Sequence, residues 1–133
     1  MKPGGREDCN PFAMRAKHIL LLQSVYYFLT GLWPLIDITS FMQVTGPKTD
    51  LWLVKMVGAL TVAISIALFN SYRTYNQPST VLAVCSAFAY LVIDVYYYFD
   101  GQIRFVYMID AVVEATIIIL ILLSARAGSQ TST

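Results

Sequence analysis

Three carboxylic acids and a lysine interrupt stretches that are otherwise almost wholly apolar: Lys55, Asp94, Asp110 and Glu114. An ionisable group at the centre of a membrane helix costs about 3 kcal/mol on the insertion scale. It therefore needs a partner, and by default it marks a functional site. Tyr107, Asp110 and Glu114 follow i, i+3, i+7 spacing and share one helical face. With a rise of about 1.5 Å per residue, Lys55 lies ~8 Å past Asp50, Asp94 ~9 Å before Asp100 and Asp110 ~9 Å past Arg104. Glu114 is ~15 Å in, one turn deeper than the rest. Three charges from three segments thus share a depth, with Asp37 and Arg104 at the mouth. Lys55 is expected to pair with Asp94 or Asp110. One cation among three acids leaves a negative excess, so the carboxyls are not all expected to be ionised together. Such a set can receive a cation, with Tyr90 and Tyr107 to hydrogen-bond a carboxylate or stack on the bound charge. The plainer alternative is an internal ion-pair network that fixes helix register.

The elements that must hold these residues follow from composition. The chain has 133 residues, 57% hydrophobic and only 13% charged, about half the usual charged share of ~25%. Disorder is excluded by the hydrophobicity, and a disulfide scaffold by the presence of only two cysteines. A net charge of +1 offers nothing to nucleic acid. Four apolar stretches, at 19–36, 51–70, 79–99 and 103–124, match the ~20 residues a bilayer crossing takes. Each must be helical, because lipid satisfies no backbone polar group. The expected fold is an all-α integral membrane four-helix bundle, one domain with the lipid bilayer as its first partner. The fourth stretch carries both Asp110 and Glu114. Its dozen aliphatic and aromatic residues return about 5 kcal/mol against about 6 for the acids, so it depends on the bundle for insertion.

The flanks suggest direction. Lys2, Arg6, Arg15, Lys17, Arg73 and Arg126 fall on one side, against Lys48 and Arg104 on the other. Both termini are expected in the cytoplasm. The first stretch, behind a polar leader holding Cys9, reads as a span and not as a cleaved signal. Trp33, Trp52 and Tyr96 to Phe99 form an outer aromatic belt, with Phe69, Tyr72 and Tyr75 forming the inner one. Pro34 is expected to bend or end the first helix, Thr49 to cap the second, and Asn76 to Ser79 and Asp100-Gly101 to make turns. The segment 38–44 is too short to span and reads as an interfacial cover over the outer mouth. Small residues mark inward faces: Ala59, Ala63 and Ala67, then Ala83 and Ala87, then Ala111 and Ala115. Lys55 lies one turn before Ala59 and is expected on the same stripe.

Several chemistries lack their residues. No His/Cys metal cluster occurs, and His18 stands alone, so neither a metal site nor haem ligation is expected. Without Cys-x-x-Cys a thiol oxidoreductase is not indicated. There is neither a phosphate-binding glycine loop nor a Ser/His/Asp set. No cofactor is implied.

The stretch Gly31-Leu32-Trp33-Pro34-Leu35, then Ser40-Phe41 and Thr45-Gly46-Pro47-Lys48-Thr49-Asp50-Leu51-Trp52-Leu53-Val54-Lys55, resembles small four-helix membrane proteins of bacteria. The resemblance covers about residues 26–114 and brings no activity with it. At the level of fold alone, four helices with intramembrane acids are similar to the sigma-2 receptor and emopamil-binding group, which implies a pocket for amine-bearing, sterol-like ligands. Small multidrug-resistance exporters also have four helices but carry their key glutamate in the first span, where this chain has no acid before Asp37.

The expected function is binding of a cation or amine-bearing amphiphile in an acidic intramembrane pocket, with proton-coupled transport as an extension. The alternative is a non-catalytic accessory subunit whose polar cluster docks another membrane protein or a second copy. An intramembrane acid/base enzyme using Glu114 or Asp110 ranks third. The charge bias carries its own test. A cysteine placed at Gly128 should resist a membrane-impermeant thiol reagent applied to intact cells; rapid labelling from outside would reverse the topology.

Overall fold

The computed structural model describes residues 11–73 and 77–130. Five helices follow in order: α1 (Pro11–Ile36), α2 (Ile38–Thr45), α3 (Leu51–Arg73), α4 (Gln77–Phe99) and α5 (Val106–Gln130). All but the short α2 are long and apolar enough to cross a bilayer. At most 33% of the most apolar window of each span is buried within the protein. The remaining surface shows side chains such as Leu29, Ile66, Val81 and Val112 to the outside. Water would not tolerate so continuous an apolar surface, whereas hydrocarbon requires it. The chain is an all-α, multi-pass membrane bundle. The expectations for the leader with Cys9, Lys2 and Arg6, and for Tyr75 and Asn76, concern residues outside the described ones.

The helices overrun their hydrophobic stretches. α1 begins at Pro11, where proline's fixed φ and missing N–H suit a first helical residue. Ala16, buried one turn before Leu20, carries the inward stripe below the apolar stretch. α4 begins at Gln77, so Pro78 stands in its first turn and not in a linker. Pro34 does not end α1, which continues to Ile36. The break comes at Asp37, whose carboxylate accepts from the backbone N–H groups of Thr39 and Ser40, both at 3.1 Å, and caps α2. The start of α3 is shifted by one residue from expectation. The carbonyl of Asp50, and not that of Thr49, accepts the first helical bonds, from Leu53 and Val54. The α4–α5 turn closes as expected at Asp100-Gly101. Gln102 N–H donates to the Tyr97 carbonyl and Gly101 N–H to that of Tyr98, with Gly101 at φ +75°. This is the Schellman arrangement.

Packing follows two pairs. α1 lies along α3, α4 lies along α5, and α1 joins the pairs by also touching α5; α3 and α4 meet only slightly. Ala83 and Ala87 on α4 and Ala111 on α5 are buried as the small-residue argument expects. The alanine stripe of α3 is not. Ala59, Ala63 and Ala67 are exposed, and the buried line is Gly58, Thr61, Ser65 and Leu68. The reason is a closer contact than alanine permits. A Cβ on Gly58 would lie 2.7 Å from the Gly31 carbonyl oxygen, and one on Gly31 would lie 2.8 Å from that of Gly58. Backbone meets backbone here, and this contact sets the rotation of α3.

Gly58→Val should therefore force the α1–α3 pair apart, at an overpacking cost of ~1–3 kcal/mol. Ala63→Leu should leave stability unchanged, because its side chain enters lipid. Thermal unfolding in detergent reads both variants, and the reverse order would mean that α3 is rotated.

Candidate functional site

A cavity of about 410 Å³ lies among the four long helices at the end where α2 sits, within the ~300–1,000 Å³ range of small-molecule sites. Its wall is mostly apolar, including Pro34, Leu53, Val57 and Ile93, and α2 contributes Phe41 to its roof. Asp94, Asp110, Glu114, Tyr90 and Tyr107 all face it. The i, i+3, i+7 face of α5 is thus where the spacing placed it. A shallower groove along the outside of α4 carries only the terminal Asp100 as a charge, so the chemistry is within the bundle.

The acids are held mainly by tyrosines of α1 that sequence reasoning left out of the site. The Tyr26 hydroxyl donates to Asp110 Oδ1. The Tyr27 hydroxyl donates to Glu114 Oε2 at 2.9 Å, and Glu114 is only 1% exposed. Tyr90 meets the Thr61 hydroxyl. Thr61 already gives its hydrogen to the Val57 carbonyl at 2.8 Å, so Tyr90 is the donor in this pair. The Tyr27 and Tyr90 rings pack edge to face, with centroids 5.4 Å apart. The signal for the two α1 tyrosines was present. Gln23, Tyr26, Tyr27 and Thr30 stand at i, i+3, i+4 and i+7 in an apolar run, and polar groups in membrane helices face protein partners.

Asp94 differs from the other two acids. It is 5% exposed, and its Oδ2 has no hydrogen-bond partner. Its carboxyl lies beside that of Asp110. Among the described residues none of the three acids makes an ion pair.

The cation expected here is elsewhere. Lys55 is exposed and does not face the cavity. With Gly58 and Thr61 turned inward, Val54 takes the inward position of the first turn of α3. Lys55, about 100° further round the helix, is carried outward, one turn from the helix end, where a long side chain reaches the interface. The lysine that does face the cavity is Lys48, in the loop between α2 and α3. Its Nζ stands 5.0 Å above the centre of the Tyr107 ring.

Asp37 and Arg104 close the mouth from outside and do not line it. The backbone N–H of Ser40 beside Asp37, helped by the Ser40 hydroxyl and the Thr39 N–H, holds this exposed carboxyl below the usual carboxylate range. Arg104 donates from Nη1 to the Gln43 carbonyl at 3.1 Å and packs over Gly46, whose φ of +99° and lack of a side chain admit it. Trp33 Nε1 donates to Ser40 Oγ at 2.8 Å, and the Trp33 ring meets Phe41 edge to face. α2 is thereby pinned over the cavity from both sides, which fits the cover expected of segment 38–44.

The chain matches no protein-family model, no curated protein and no solved structure. Function must be argued from this geometry.

Below the acids the polar character fades over about two turns. Gln23 Nε2 donates to the Ala83 carbonyl at 3.0 Å, and Ser24 Oγ to that of Ser65 at 2.8 Å. These two bonds link helices, while Thr30 bonds back to its own helix at the Tyr26 carbonyl. Beneath them Leu20, Leu68, Ile117 and Ile121 fill the core. Exposed Cys85 and exposed His18, whose Nδ1 bonds the Met14 carbonyl, lie outside the cavity.

Tyr27→Phe should leave a buried acceptor on Glu114 without its donor, a loss of ~1–3 kcal/mol. Adding Glu114→Leu should restore most of it, since both polar partners are then gone. Detergent melting curves of the single and double variants check this; simple additivity would mean that the pair does not interact.

Proposed function

We propose that the protein binds an organic cation, an amine-bearing amphiphile, with the ammonium among Asp94, Asp110 and Glu114 and the hydrocarbon against the apolar wall. The observation that carries this reading is Asp94, which lines the cavity and whose buried Oδ2 has no hydrogen-bond partner. An unpaired buried acceptor is costly, and a donor on a ligand would relieve that cost. Among the described residues no group of three or more His, Cys, Asp and Glu is spaced to hold a metal. This favours a larger cation, which hydrogen-bonds the acids singly. Lys48 over Tyr107 shows that a ring in this cavity accepts an ammonium on its face.

Two features favour binding over the other readings. The acids face a cavity and not a lipid-exposed flank, which weighs against a polar patch for docking another membrane protein. The plug of Leu20, Leu68, Ile117 and Ile121 separates the acids from the far end of the bundle, which weighs against passage through it. With both termini in the cytoplasm, as the lysine and arginine bias leads us to propose, the cavity belongs to the outer half of the membrane.

A long-chain alkylamine should raise the melting temperature of the purified protein, while the alcohol of equal chain length should not. Near a hundredfold excess over Kd the stabilisation is about 2.7 kcal/mol. Asp94→Asn and Glu114→Gln should each weaken binding by roughly 10–100-fold, the worth of a hydrogen bond to a charged group. A proton and an ammonium compete for the same oxygens, so binding should strengthen as pH rises and lose that dependence as the acids are replaced. Equal stabilisation by amine and alcohol would remove the acids from the site.

A further inference from the structure

We infer that the cavity opens sideways into the bilayer between α3 and α4, and that its cation-headed ligand enters from the lipid phase with its tail left in the gap. This rests on the binding reading above and specifies the route and the kind of molecule.

The other sides of the cavity are shut. Between α1 and α3 the backbones touch at Gly31 and Gly58. Between α1 and α5 stand the Tyr26–Asp110 and Tyr27–Glu114 hydrogen bonds. α4 lies along α5. The roof is α2 with Phe41, tied down by Arg104, and Lys48 over Tyr107. The remaining side is the one where two long helices meet only slightly. There Val57 on α3 and Ile93 on α4 line the cavity while 44% and 54% exposed. A side chain does both only at a rim. Leu53 and Tyr97 extend the same two edges. The sill is the Thr61–Tyr90 hydrogen bond, which joins α3 to α4 directly below.

The chemistry of the opening selects its user. Its edges are mostly apolar, and at this position on membrane-spanning helices they meet acyl chains. An inorganic cation would lose its hydration in crossing such a rim. An alkylamine already dissolved in the leaflet keeps its tail in hydrocarbon throughout, and only its head moves, from the interface to the carboxyls. Asp94, with its free Oδ2, stands on α4 one position after rim residue Ile93.

The test needs no ligand. Dicyclohexylcarbodiimide is uncharged and partitions into bilayers, whereas a carbodiimide carrying a quaternary ammonium stays in water. Either reagent adds to a carboxylic acid. The acid proton moves to a carbodiimide nitrogen, and the carboxyl oxygen bonds the central carbon. The acyl group then shifts to nitrogen, leaving a stable N-acylurea with the whole reagent added and nothing lost. With the full chain in phosphatidylcholine vesicles, the lipid-soluble reagent should label Asp94, Asp110 or Glu114, read by peptide mass, and the charged reagent should not. Val57→Trp combined with Ile93→Trp should slow labelling by at least about tenfold, equal to ~1.4 kcal/mol of added barrier. Leu60→Trp, elsewhere on the exposed surface of α3, should leave the rate unchanged. The two-reagent comparison uses the unaltered chain, so it stands even if a tryptophan variant misfolds.

Labelling by the charged reagent alone, by both equally, or by neither would overturn the side opening. Alkylamine binding could still succeed in those cases, and the entry route alone would be wrong. Lipid-phase labelling without alkylamine binding would retain the opening and reject the ligand class.

Discussion

The contact between Gly31 and Gly58 governs the rest of this bundle. Two backbones approach so closely there that neither position has room for a Cβ. In lipid, where helices gain nothing by hiding apolar surface from one another, such approach is a main source of association. Once Gly58 faces α1, helical geometry places Val54, Thr61, Ser65 and Leu68 inward and turns Lys55 and the three alanines away. It also draws α3 toward α1 and leaves it barely touching α4. The cavity is the space left by that choice of neighbour.

Within that space the carboxyls need support that lipid cannot give. Tyr26 and Tyr27 are adjacent in sequence, yet both reach α5, to Asp110 and Glu114 one turn apart. The pair clamps α1 to α5 at two depths. Tyr90 makes the matching link from α4 to α3. Each of the four helices thus has a polar tie at the level of the acids, and of the three acids Asp94 has a buried oxygen, Oδ2, left without a partner. Gln23 Oε1, deeper in the bundle, is likewise buried without a partner, so it is the place of Asp94 on the cavity wall that favours reading the arrangement as a site awaiting a donor.

Much of this was legible in the chain. Hydropathy located the four spans because their lengths follow from bilayer thickness, and the face shared by Tyr107, Asp110 and Glu114 followed from helical spacing alone. The rotation of α3 was not legible from its alanines. Alanine is small enough to sit inward and apolar enough to sit in lipid, so its spacing was ambiguous, and glycine decided the matter by permitting the closer contact. Lys55 was misplaced with the stripe it was assumed to join. Lys48 lay in a loop, where no periodicity governs direction, and its place over Tyr107 depends on how α2 folds back. Helix ends beyond the hydrocarbon, at Pro11 and Gln130, leave no trace in hydropathy because they are set by capping and local propensity.

The distribution of polarity along the bundle axis bears on what such a protein can do. At the α2 end lie three acids, five tyrosines and a lysine around open space. At the other end Leu20, Leu68, Ile117 and Ile121 pack together. Gln23 and Ser24 stand between, bonded to backbone carbonyls of α4 and α3. A proton or cation path across the bilayer would need polar groups or water to continue past that layer, and four packed aliphatic side chains offer neither. Opening the plug would mean separating α1 and α3 from α4 and α5, since it draws Leu20 and Leu68 from the first pair and Ile117 and Ile121 from α5. The Tyr26–Asp110 and Tyr27–Glu114 bonds oppose that separation, and they involve the same carboxyls that face the cavity. The Thr61–Tyr90 bond and the Gln23 bond to the Ala83 carbonyl oppose the same separation from the α4 side, so the plug is held shut by ties at the acids and by ties away from them.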